Sequence, residues 1–163
     1  MRDAEIDALA AAVGQAALSR RLRIATAESC TGGLVAAAIT SVAGSSDWFD
    51  RGFVVYSNAA KVDALGVSAA TLERFGAVST ETALAMAQGA LRQSDAQWSV
   101  SVTGIAGPGG GSPGKPVGTV CFAWAGPGEA EALRTRLEGD RAGIRDASVR
   151  IALQGLLDRL TQA

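Results

Sequence analysis

Residues 117–124, Val-Gly-Thr-Val-Cys-Phe-Ala-Trp, are apolar on both of the faces that a strand presents in alternation. A strand of that kind is stable only inside a sheet covered on both sides. Shorter strand patterns lie at residues 22–27, at 53–56, where Phe-Val-Val-Tyr reads as buried, and at 98–102. Helical spacing fills the stretches between them. Ile6, Leu9, Ala10, Val13 and Ala17 predict an amphipathic helix over residues 3–19. Further helices are predicted over 31–42, ended by Gly44 as C-cap, from the turn and cap signal Ser57-Asn58 through Lys61 to Leu65, and over 69–75. The helix at 79–91 carries Leu84, Ala87 and Leu91 as its inward stripe. After Gly126-Pro127-Gly128, residues 132–137 read as a half-exposed strand antiparallel to its neighbour, Leu133, Thr135 and Leu137 alternating with Arg134 and Arg136. A last helix follows Asp140-Arg141 and runs to Leu160, with Val149, Ala152, Leu156 and Leu160 facing inward. Helices interleaved with strands and then a hairpin predict an α/β fold: a three-layer α/β/α sandwich with a mixed, mostly parallel sheet, one domain over residues 1–163.

Composition narrows the chemistry. The chain has no histidine, which removes Ser-His-Asp and Cys-His catalysis and His-based metal sites, so a hydrolytic base must be Lys, Tyr, Asp, Glu or bound water. Fifteen basic residues against sixteen acidic ones leave a net charge of −1, with no electrostatic footprint for nucleic acid or an anionic membrane. Cys30 and Cys121 are far apart and make neither a disulfide framework nor a zinc cluster, so no metal and a reducing cytosol are expected. The opening Met1-Arg2-Asp3-Ala4-Glu5-Ile6 does not have the pattern of a signal peptide, and no window is apolar enough to span a bilayer.

Three stretches carry candidate chemistry. Thr26-Ala27-Glu28-Ser29-Cys30-Thr31-Gly32-Gly33 joins a strand pattern to a helix pattern. Ser29 there can present its hydroxyl beside free N–H groups at a helix start, which suit an anionic oxygen, and Gly32 and Gly33 allow a ligand close to the backbone. A plain helix N-cap explains the same residues, and on this stretch alone is the better reading. Lys61 falls in the first turn of its helix, where the macrodipole disfavours a cation and depresses an amine pKa; Tyr56, the only tyrosine, stands five residues earlier. A neutral lysine serves as a base, whereas an arbitrary Lys and Tyr are more often surface groups. A carboxylate neighbour such as Glu28 would oppose the depression. Residues 104–116 form a glycine-rich loop too long for a mere connection. Gly109 to Lys115 has P-loop spacing, but Pro116 replaces the magnesium-binding hydroxyl and a strand follows, so a P-loop is rejected. The loop either cradles a phosphate, with Arg141 as partner, or is a flexible lid. Cys30 is a weaker rival nucleophile, since a buried thiol is commonly inert.

The motifs Ala27-Glu28-Ser29-Cys30-Thr31-Gly32-Gly33, Ala43-Gly44-Ser45-Ser46 and Tyr56-Ser57-Asn58 with Lys61 occur in one order with Gly76-Ala77-Val78-Ser79, Thr103-Gly104-Ile105-Ala106-Gly107-Pro108-Gly109-Gly110, Lys115-Pro116-Val117-Gly118-Thr119-Val120 and Gly139-Asp140-Arg141. Together they resemble the C-terminal domain family of the CinA competence/damage-inducible proteins over nearly the whole chain. The resemblance implies a cytoplasmic nicotinamide-nucleotide amidohydrolase, converting nicotinamide mononucleotide to nicotinate mononucleotide and ammonia in pyridine-nucleotide salvage, with no cofactor. It implies Ser29 as nucleophile with Tyr56 and Lys61 as its proton relay. Cys30, Thr31, Gly32 and Gly33 are then expected around the oxyanion, and Asn58, Thr103, Gly104, Ile105, Ala106, Gly107 and Arg141 around substrate. Thr103 stands where some members have serine. A homo-oligomer binding a small-molecule substrate, and neither nucleic acid nor membrane, is expected. The alternative is a nucleotide-sensing or competence/damage-associated domain that binds without turnover, since a family likeness survives loss of activity. An interaction protein with neither property is the third class.

Overall fold

The computed structural model describes residues 3–162; Met1 and Arg2 of the opening segment lie outside them. Five strands form one sheet: β1 (Ile24–Glu28), β2 (Phe49–Val54), β3 (Trp98–Gly104), β4 (Thr119–Gly126) and β5 (Glu129–Arg136), in the order β2-β1-β3-β4-β5. β1 pairs in parallel with both β2 and β3, while β4 runs antiparallel to β3 and β5, so four strands point one way and β4 against them. Helices α1 (Ala4–Ser19), α2 (Leu34–Thr40) and α6 (Arg141–Thr161) cover one face, and α3 (Asn58–Leu65), α4 (Ala69–Phe75) and α5 (Thr80–Arg92) serve the other. This is the mixed α/β sandwich expected, and β4, buried along nearly its whole length, is the inner strand its pattern demanded. Among the described residues, no helix is long and apolar enough to cross a membrane.

The two faces pack by different means. On the α6 face, all three tryptophans sit against glycines: Trp48 on Gly14, Trp98 on Gly126 and Trp124 on Gly155, where an added Cβ would lie 2.7, 2.3 and 2.2 Å from ring atoms. On the α5 face, β3 alternates hydroxyl residues with its apolar ones. Ser99, Ser101 and Thr103 donate to the carbonyls of Ala87, Ala83 and Ala77 at 2.7, 2.6 and 2.8 Å. These short bonds draw helix and strand together, so α5 buries Ala83, Met86, Ala87 and Ala90, while Leu84 and Leu91, expected in the stripe, are only half-buried at its margin.

Other expectations shift for physical reasons. The run read as a buried strand is the edge strand β2, which starts at Phe49; it is largely half-exposed, and only Val55, beyond its end, is fully buried. α2 starts at Leu34 and ends at Thr40, because positive φ at Gly32 and Gly33 prolongs the preceding turn. Gly44 accordingly precedes the 3-10 turn Ser45–Asp47 instead of capping α2. Leu133 lies on the α6 side of the edge strand β5, opposite Phe122, and is 42 % exposed.

Candidate active site

The strand-to-helix turn after β1 is held by its own backbone and by one buried acid. Ser29 N–H donates to Val102 of β3 at 2.9 Å, and Gly32 N–H returns to the Ser29 carbonyl at 3.0 Å. The φ angles of +57° at Gly32 and +104° at Gly33 are left-handed, which glycine adopts without strain. Glu28, fully buried, accepts from the Thr31 hydroxyl at 2.6 Å and from the N–H groups of Val35 and Ala36 at 2.8 and 3.0 Å. The start of α2 is thus occupied by the chain's own anion, the arrangement that the helix dipole favours. This corrects the expectation that those donors face the serine unspent: the Gly32 N–H and the Thr31 hydroxyl are committed, leaving the N–H groups of Cys30, Thr31 and Gly33 as oxyanion candidates.

Ser29 and Lys61 are brought together. Lys61 is the fourth residue of α3, and its side chain runs back past the helix start, as helical side chains lean. Although only 1 % exposed, it pairs with no acid among the described residues; Nζ lies 3.1 Å from Ser29 Oγ, 3.0 Å from the Val55 carbonyl and 3.2 Å from the Tyr56 carbonyl. Burial pushes its pKa below the ordinary amine value, opposed only by Cys30. Glu28, whose carboxylate turns to α2, is not the opposing group. As an ammonium, Nζ donates to all three oxygens; once deprotonated it would keep two N–H donors for the two carbonyls and turn its lone pair to the serine hydroxyl. Cys30, the rival nucleophile, is buried and its thiol is pushed up to about 11, which leaves it protonated at neutral pH.

Beside this pair is a cleft of about 200 Å³ lined by Cys30, Tyr56, Arg141 and the loop residues Gly104, Ile105, Ala106, Gly107, Gly109 and Gly110. Arg141, the first residue of α6, donates to the Gly107 carbonyl at 2.9 Å and to the Tyr56 hydroxyl at 3.4 Å. Tyr56 therefore meets Ser29 and Lys61 through its main chain, whereas the residue as a whole is 63 % exposed and its hydroxyl lies toward Arg141. The glycine loop is tethered farther along, Lys115 donating to Phe75 at the end of α4 and Arg134 to Gly114, both at 2.6 Å. Lys115 is thus a helix-end ligand, unlike a P-loop lysine. Two expected substrate residues stand apart from the cleft. Thr103 is buried, with its hydroxyl on Ala77, and Asn58 is an exposed first residue of α3 whose cap is Ser57.

Arg145 was not singled out from sequence. Its Nε donates to the Cys30 carbonyl at 3.1 Å and its Nη2 to the Thr31 carbonyl at 3.4 Å. The available signal was its spacing, four residues after Arg141 and so on the same side of α6.

Comparison with known proteins bears on this constellation. The model of the CinA C-terminal domain matches residues 6–160. The chain is 50 % identical to the nicotinamide-nucleotide amidohydrolase PncC of Escherichia coli K12, over 99 % of each chain, and 46 % identical to PncC of Pseudomonas putida, over 96 % of this chain and 98 % of that protein. The crystal structure of the competence/damage inducible protein CihA from Agrobacterium tumefaciens superposes with a TM-score of 0.95 at 49 % identity, covering 99 % of both chains. Sequence and fold therefore agree: the chain belongs to the CinA C-terminal domain family.

Proposed function

We propose that this protein is an amidohydrolase that releases ammonia from the carboxamide of nicotinamide mononucleotide, through an acyl-enzyme on Ser29. The observation that carries the reading is the 3.1 Å approach of a buried, acid-free lysine amine to the serine hydroxyl. The relatives named as nicotinamide-nucleotide amidohydrolases supply the substrate. Neutral Lys61 takes the Ser29 proton as Oγ attacks the carboxamide carbon. The oxyanion is met by turn N–H groups at Cys30 and Thr31. Collapse breaks the C–N bond, and Lys61 gives its proton to the departing nitrogen, which leaves as ammonia. Water then attacks the ester, Lys61 takes its proton, and the returning Oγ recovers one as nicotinate mononucleotide departs. Lys61 reaches Ser29 directly, so Tyr56 serves better as a cleft wall than as an intermediate carrier. Arg141 and the glycine-loop backbone present donors suited to the nucleotide phosphate.

The test is ammonia and nicotinate mononucleotide production by wild type and Ser29→Ala. The variant is expected to fold and to be inactive. Full turnover by folded Ser29→Ala would remove the serine nucleophile.

A further inference from the structure

Glu28 and Arg145 both act on the nucleophile turn, yet neither ends in the cleft and no ion pair joins them. Arg145 places its guanidinium on the carbonyls of Cys30 and Thr31, while Glu28 binds Thr31 and the first amides of α2. The Thr31 carbonyl also receives Leu34 N–H at 3.0 Å, whereas Arg145 is the donor found for the Cys30 carbonyl. Because a peptide is planar and trans, holding the Cys30 carbonyl also fixes the direction of Thr31 N–H, the far edge of the same unit. A buried carboxylate satisfied by three donors likewise fixes where α2 begins.

We infer that Glu28 and Arg145 are positioning residues for catalysis: one from the end of β1 and one from α6, they set the peptide planes of the turn and thereby aim Ser29 Oγ and the oxyanion donors at the same carbonyl. The inference rests on the proposed serine chemistry. α6 is then more than a covering helix. Arg145 binds the nucleophile turn and Arg141, one helical turn earlier, binds the glycine loop, so a single rod sets the distance between attacking group and substrate wall.

The test uses two readouts on the full chain. The first is the rate at which a fluorophosphonate labels Ser29, which needs an aimed nucleophile but no particular amide; the second is steady-state ammonia release. Glu28→Gln keeps the size of the side chain but turns an NH₂ group toward backbone donors, and Arg145→Met removes both carbonyl contacts. Each is expected to label roughly 10- to 100-fold more slowly than wild type while folded, with kcat falling by a similar factor and KM little changed, since small misplacements of a reacting group have effects of that size. Arg145→Lys, which retains one donor, should recover part of the rate. Wild-type labelling in folded Arg145→Met and Glu28→Gln overturns the proposal, as does a loss confined to KM, which would make Arg145 a substrate contact. A wild-type protein that labels at Ser29 without releasing ammonia overturns the substrate assignment alone. Failure of wild type to label at all overturns the nucleophile and this inference with it.

Discussion

Lys61→Met separates a buried base from a buried structural amine, because the two roles leave opposite marks on stability and activity. Methionine matches the length of the lysine stem but offers no donor to Val55, Tyr56 or Ser29, which lie 3.0–3.2 Å from Nζ. Leaving a buried carbonyl unpaired costs about 1–3 kcal/mol, so above pH 10.5, where the lysine is neutral in both states, the variant should be the less stable protein. Below that pH the difference begins to shrink. Burial lowers the folded pKa from 10.5, so as pH falls the unfolded chain takes up a proton that the folded protein resists. Wild type then loses stability relative to Lys61→Met by up to about 1.4 kcal/mol per pH unit, until the folded pKa is reached and the difference levels off. The Cys30 thiol, raised to about 11, titrates in both proteins and cancels to first order. Urea melts of the two proteins between pH 7 and 10.5 measure the difference directly. A difference that is flat across this range, or that favours wild type increasingly as pH falls, would show that Lys61 is not depressed and would refute the base assignment. In parallel, kcat/KM of wild type should rise through an ionisation below the usual amine value. The variant should lose that limb and roughly 10²- to 10⁴-fold in rate.

Lys61→Arg is expected to be nearly as inactive as Lys61→Met, because guanidinium cannot accept a proton near neutrality; substantial ammonia release would make the position a source of charge only. Gly155→Ala puts a methyl 2.2 Å from the Trp124 ring. Overpacking by about 1–3 kcal/mol outweighs the helix-propensity gain of about 1 kcal/mol, so Tm should fall by a few degrees; a rise in the calorimetric Tm would show that the ring yields without strain. Thr103→Val removes the bond to Ala77 and should lower stability by about 1–3 kcal/mol while leaving kcat/KM as it was. A large rise in KM for nicotinamide mononucleotide would return Thr103 to the substrate pocket.

Strand and helix positions followed from local pattern because burial on both faces of β4 and the stripe along α6 are written in consecutive residues. What escaped depends on register between elements. That β2 is an edge cannot be seen in Phe53-Val54-Val55, whose composition suits an interior strand, since strand order decides exposure. The inward stripe of α5 was misjudged for a related reason: serines on β3 bind its carbonyls and favour small residues at the closest approach. Within the site, Lys61 stood out because a cation in the first turn breaks a local rule, whereas the Ser29 turn by itself reads as a plain helix cap; their 3.1 Å approach is a tertiary contact. Glu28 as the ligand of α2, the hydroxyl direction of Tyr56 and the reach of Arg145 each need a tertiary contact, in the last case across 115 positions of chain.

The seating of Trp124 against Gly155 bears on how substitutions remote from the cleft are felt. Helices resist compression along their axes, and Gly155 stands ten residues, or about 15 Å, beyond Arg145 on the same rod. Trp124 also anchors to the Ala152 carbonyl at 3.1 Å and lies under the Arg159 guanidinium at 4.3 Å, so this end of α6 has little freedom to slide. An axial displacement introduced there is delivered almost whole to the first turns, where Arg141 and Arg145 hold the glycine loop and the nucleophile turn. The indole acts as a detent on a push-rod: on the proposed serine chemistry, a shift at this contact is expected to change turnover through Arg141 and Arg145.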